Sequence, residues 1–212
     1  MYGSADMSQR ASYASPLVRW VVVNAVGWAF ISTAEIVSSY LWFLLIPIFA
    51  ISFGFVQWLA VRRIASWAHV WVAATAVGWV VGEVVSFVAG AVLVQPATSG
   101  EDPHLLLAHR LYDGALYGVC IWGCVGCAQW IFALRIRSDV RRGPGYQWVV
   151  ASSLAGGLAG VVGVAVVWLM FGEAPTSFLA ASIDGFSEGG VYGCLTFLAL
   201  RTVLKACPFE SS

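Results

Sequence analysis

A two-part phrase recurs three times along this chain: an apolar helix led by Trp, followed by a second apolar helix that closes on a Gly/Gln/Trp/Arg signature. The first helix opens at Trp20, Trp71 and Trp148, with a small polar residue four positions on (Asn24, Thr75, Ser152) and a small residue seven positions on (Gly27, Gly78, Ala155). The second helix reads Gly54-Phe-Val-Gln57-Trp58-Leu-Ala-Val-Arg62, then Gly126-Cys-Ala-Gln129-Trp130-Ile-Phe-Ala-Leu-Arg135, then Gly193-Cys-Leu-Thr196-Phe197-Leu-Ala-Leu-Arg201. Self-similarity at such a period signals one supersecondary unit stacked against copies of itself. The copies are not identical. Trp28 and Trp79 follow the small residue where the third copy has Gly156, and the middle copy carries one extra residue before its Arg.

Hydropathy says where these helices reside. Of 212 residues, 60% are hydrophobic and only 10% charged, and the mean hydropathy is +0.82, outside the range of an ordinary soluble domain. A helix needs about 20 apolar residues to cross a hydrocarbon core. Stretches of that length run from Val18 to Ser38, Leu41 to Val61, Trp67 to Val94, Gly114 to Leu134, Trp148 to Phe171 and Phe178 to Leu200. None alternates at a period of two, which excludes barrel strands. The fold expected is all-α: a polytopic bundle of six transmembrane helices, built from three two-helix repeats about a pseudo-threefold axis along the membrane normal. The expected repeats are 17–63, 67–137 and 146–205. Residues 1–16 read as a disordered cytoplasmic tail and 206–212 as a second one.

The basic residues set an orientation. Of the 11 Lys and Arg, only Arg110 falls on the far side of the six-helix plan. By the positive-inside rule both termini are then cytoplasmic, in a multi-pass protein of the cell inner (plasma) membrane. The acids do the reverse: Glu35, Glu83, Glu101, Asp102, Asp113, Glu173, Asp184 and Glu188 all lie at or toward the outer side. Glycines spaced by four, at Gly78/Gly82, Gly114/Gly118, Gly156/Gly160 and Gly185/Gly189/Gly193, are suited to close helix packing in lipid. Trp20, Trp67, Trp71 and Trp148 sit near cytoplasmic ends and read as interfacial anchors. The Cys residues read as packing groups. His104 and His109 miss the spacing of a helical metal site. Neither a metal nor a cofactor is expected.

Candidate function therefore rests on polar groups inside the spans. A charge at membrane depth costs at least about 2.5 kcal/mol, so an intramembrane acid is a functional candidate by default. Glu83, Glu188, Glu35, Asp184 and Asp113 share an outer layer, and Gln57, Gln129 and Thr196 form a second polar layer nearer the cytoplasm, one per repeat. The expectation is a transporter- or channel-like protein that binds a cation or small polar solute in an outward-facing acidic cavity. The alternative is a non-catalytic scaffold or accessory subunit, with membrane-protein partners or a second copy of itself. Catalytic signatures are absent: there is no His-Glu-x-x-His, no Gly-x-Ser-x-Gly and no phosphate loop. Nothing points to nucleic acid; the partner expected throughout is the lipid bilayer.

The units Gly54-x-x-Gln57-Trp58-x-x-x-Arg62 and Trp71 through Gly82 resemble those of a broad group of uncharacterised bacterial six-helix integral membrane proteins with repeated Gly-x-x-Gln-Trp…Arg units. The resemblance implies a fold and no activity. The three-by-two-helix plan is also similar in outline to mitochondrial carriers, but their Pro/acid/basic signature is missing here.

Overall fold

The computed structural model describes residues 4–37, 41–62, 68–93, 103–134, 142–172 and 177–206. Among these residues there are six α-helices and no strand: α1 (Ser4–Val37), α2 (Trp42–Val61), α3 (Ala68–Leu93), α4 (Pro103–Ala128), α5 (Arg142–Phe171) and α6 (Phe178–Ala206). Five helices contain stretches long and apolar enough to cross a membrane: Pro16–Ile36, Leu44–Val61, His69–Leu93, Leu105–Phe132 and Gly145–Phe171. The sixth helix, of 29 residues, is long enough but is made more polar by Asp184, Ser187 and Glu188.

Polar and apolar residues are distributed inside out relative to a water-soluble bundle. Val18, Val22, Val26 and Phe30 form an exposed stripe on α1, and Val92 and Leu169 are 76% and 85% exposed. Asn24, Gln57, Thr75, Gln129, Ser152 and Thr196 are fully buried. Lipid outside and hydrogen-bonding partners inside satisfy that arrangement, because hydrocarbon offers polar groups no partner.

The helices form a closed ring. Each packs against its neighbours in sequence, and α6 returns to pack along α1; among the described residues no two helices across the ring come into backbone contact. The glycine seams explain where packing is most intimate. Along the α4–α5 seam a Cβ at Gly118 of α4 would strike the Gly156 backbone of α5, and one at Gly160 of α5 the Gly114 backbone of α4. A Cβ at Gly189 would strike the Asn24 backbone of α1, and at Gly82 would lie 2.8 Å from Ile121 Cα of α4. Lipid is as apolar as Leu, so this close approach and its dispersion contacts hold the helices together.

Local chain features follow from sequence. Pro103 is the first residue of α4, where its missing N–H has no intrahelical role. The Leu-rich stretch after it is therefore the opening of α4 itself. Gly172 caps α5 at φ 72°, and its N–H donates to Trp168 O over 2.8 Å. After Ala128 the fourth helix continues as a π-helical segment, Gln129–Leu134. The stretch from Gln129 to Arg135 is one residue longer than that from Gln57 to Arg62, and a π turn absorbs one extra residue without breaking the helix.

At the amino terminus α1 begins at Ser4 and runs unbroken through Pro16. Extending an existing helix escapes the nucleation cost, and this stretch is rich in residues that tolerate helix. The tail 207–212 and the acids Glu101, Asp102 and Glu173 lie outside the described residues.

Candidate functional site

Three layers fill the ring from one end to the other. The first is a buried polar hub. Trp20, Trp71 and Trp148 come from α1, α3 and α5, which are not neighbours, yet Trp71 lies 6.4 Å from Trp20 and 5.6 Å from Trp148 between ring centroids. They are at most 1% exposed, so these three are core residues, not the interfacial anchors expected from sequence. The reason is that each indole N–H has an acceptor inside: Trp71 donates to Gln57 Oε1 (3.1 Å), Trp148 to Gln129 Oε1 (3.1 Å) and Trp20 to Thr196 Oγ1 (3.0 Å). Further bonds cross-link the hub. Gln57 Nε2 donates to Asn24 Oδ1 (2.8 Å), and Gln129 Nε2 to Thr75 Oγ1 (2.9 Å). The second polar layer is thus a buried, cross-bonded cluster, which leaves Gln57, Gln129 and Thr196 engaged with the protein itself.

Next comes an aromatic plug. Trp28, Phe53, Trp79, Trp122 and Tyr192 belong to five different helices and are all buried. Trp28 reaches Trp122 across the ring at 5.4 Å, and Trp122 stacks on Tyr192 at 3.6 Å and 21°. Gly156 stands eight positions after Trp148, where Trp28 and Trp79 stand eight after Trp20 and Trp71, and Trp122 fills the space beside it: a Cβ at Gly156 would sit 2.6 Å from Trp122 Cβ. With five aromatic side chains in mutual contact, the axis is closed at this level.

Beyond the plug the ring opens into a cavity of about 400 Å³ between α1, α4, α5 and α6. Its lining includes Glu35, Asp113, Asp184 and Glu188, with Arg110 as the basic member. Exposure falls inward: Glu35 and Arg110 are exposed, Asp113 and Asp184 half-buried, and Glu188 is 7% exposed beside the plug. Glu188 Oε1 and Asp113 Oδ1 are shut off from solvent with no hydrogen-bond partner. The Trp28 indole N–H faces Glu188 without completing bond geometry. Among the described residues, no three His, Cys, Asp or Glu side chains converge closely enough to hold a metal ion.

Glu83 behaves differently from the other acids. Its Oε1 accepts from Trp79 Nε1 (2.9 Å) and Tyr117 OH (2.8 Å), so it sits behind Tyr117, outside the cavity lining. It is a bonded structural acid linking α3 to α4. Four of the five candidate acids therefore meet in one cavity and the fifth braces its wall.

Sequence reasoning passed over Tyr117, Ser32 and Trp168 as cavity residues. The signal was helical spacing: Tyr117 is four residues from Asp113, Ser32 three from Glu35, and Trp168 eight from the seam residue Gly160. The cysteines carry no comparable geometry. Cys120, Cys124 and Cys127 are partly exposed along α4 and Cys194 is exposed on α6, none in a disulfide. No protein-family model, curated protein or solved structure matches this chain.

Proposed function

We propose that this chain is an integral membrane protein that binds a cation or small polar cationic solute in the outward-facing acidic cavity. The observation that carries the reading is Glu188: a carboxylate beside the plug, nearly out of reach of water, with an oxygen that no protein group satisfies. A buried acid left unpaired is costly, and a bound cation supplies the missing partner. The aromatic plug beneath favours a transporter-like or receptor-like binding site over an open channel. The charge asymmetry supports an orientation with the cavity outside and the Arg-rich ends in the cytoplasm, in a cell inner membrane.

The three-hairpin, pseudo-threefold plan belongs to the same proposal. Its support is a head-to-tail pattern: each first-helix Trp donates to the Gln, Gln or Thr of the preceding hairpin, and Trp20 closes the cycle onto Thr196.

The cavity's charge is testable without knowing the ligand. With the native cysteines replaced by Ala, Ser32→Cys places a thiol in the lining. Rates with a trimethylammonium-ethyl and a sulfonatoethyl thiosulfonate reagent, each normalised to a free thiol, should differ by about tenfold or more in favour of the cation. Glu188→Gln should narrow the ratio. Equal normalised rates for the two reagents would overturn the reading.

A further inference from the structure

The cavity's carboxylates differ in what they lack, and that difference narrows the ligand. Two oxygens, Glu188 Oε1 on α6 and Asp113 Oδ1 on α4, are buried acceptors without donors. Quaternary ammonium groups carry no N–H and cannot complete either hydrogen bond. A metal ion needs ligands gathered on one point, whereas these acids are spread over a cavity of about 400 Å³ and none of the described acids form a metal-holding group. Charge points the same way. Four acids, Glu35, Asp113, Asp184 and Glu188, share the lining with one basic side chain, Arg110, so there are acceptors for more than one cationic nitrogen. The same lining includes Ile31, Val164, Val167 and Trp168, apolar surface suited to methylene groups. Among the described residues α4 and α6 make no backbone contact, so a ligand bonding both Asp113 and Glu188 spans the ring interior.

We infer that the ligand is an aliphatic polyamine, with one primary ammonium donating to Glu188 beside the plug and a second cationic nitrogen donating to Asp113. The cavity volume lies within the range of small-molecule sites, about 300 to 1,000 Å³. This inference rests on the reading of the cavity as a cation site.

The test is isothermal titration of the full chain in nanodiscs of zwitterionic lipid, with spermidine, putrescine, tetramethylammonium and Ca²⁺ as separate probes. Spermidine should bind at least tenfold more tightly than tetramethylammonium or Ca²⁺. Asp113→Asn and Glu188→Gln should each weaken spermidine at least tenfold. Val164→Phe, which fills the cavity and removes no charge, should do so as well, and thermal melting of each variant reports whether it is folded. Tetramethylammonium or Ca²⁺ binding as tightly as spermidine, with the same dependence on Glu188, overturns the polyamine and leaves the cation site standing. Spermidine binding unchanged in all the folded variants overturns the polyamine as well, since it places the amine elsewhere. No binding by any probe, together with equal reaction of the charged thiol reagents at Ser32→Cys, removes both.

Discussion

Replacing Gln129 with Leu cuts the hub at the start of the π-helical segment that continues α4. The side chain accepts from Trp148 Nε1 at 3.1 Å and donates to Thr75 Oγ1 at 2.9 Å, with a longer contact to Gln57 Oε1 at 3.4 Å. Interhelical hydrogen bonds in membrane proteins average about 0.6 kcal/mol and reach about 1.7. Leu removes two good ones and also strands the Trp148 N–H, which is fully buried, adding about 1 to 3 kcal/mol. The expected loss is about 2 to 4 kcal/mol, read as SDS-driven unfolding in mixed micelles. Trp148→Phe removes the donor while keeping a ring near Trp71. In a double-mutant cycle the pair should fall short of additivity by about 1 to 2 kcal/mol, because the second substitution no longer has a bond to break. Additivity within about 0.3 kcal/mol would refute the hub bond.

Glycine seams give a contrast within one residue type: Gly118→Ala drives a methyl into the Gly156 carbonyl and should cost about 1 to 3 kcal/mol, whereas Gly90, with open space around it, should accept Ala without loss when thermal melting is followed in detergent. Gly156→Trp should destabilise the bundle by at least as much as Gly118→Ala, since Trp122 already occupies that volume; a more stable variant would contradict the packing described. Glu83→Gln should lower stability by about 1 kcal/mol through its weakened bonds to Trp79 and Tyr117, yet leave the charge selectivity of labelling at Ser32→Cys within twofold of its parent. Glu188→Gln should do the opposite, and identical labelling ratios for the two variants would sink the distinction.

Much of this arrangement is legible in the residues. The apolar stretches mark helices because period-two alternation is missing, and Gly spaced by four marks seams because only backbone fits there. The Gln/Gln/Thr layer and the Trp that leads each repeat are visible as a pattern, but pattern alone leaves open whether they meet. An indole near a helix end suits a lipid interface as well as a buried amide, and only the ring's closure brings Trp20, Trp71 and Trp148 together. The acids were similarly ambiguous. Glu83 and Glu188 lie at comparable depth, and nothing within either helix reveals that Tyr117 of another helix bonds the first while the second stays unpaired. Trp122 filling the space beside Gly156 is packing between helices that no single-helix periodicity encodes.

Hydroxyl-radical footprinting of the protein in nanodiscs tests most directly the claim of a water-filled acidic cavity that ends on a sealed plug. Trp168 and Tyr117 line the cavity and are partly exposed, while Trp122, Tyr192 and Trp148 are fully buried in the plug and hub. Oxidation should appear on Trp168 and Tyr117 and be absent from Trp122, Tyr192 and Trp148. Oxidation of Trp122 and Trp148 to the same extent as Trp168 would reveal water running the length of the axis, and an unmodified Trp168 would mean that the cavity is not open to water; either result contradicts the account.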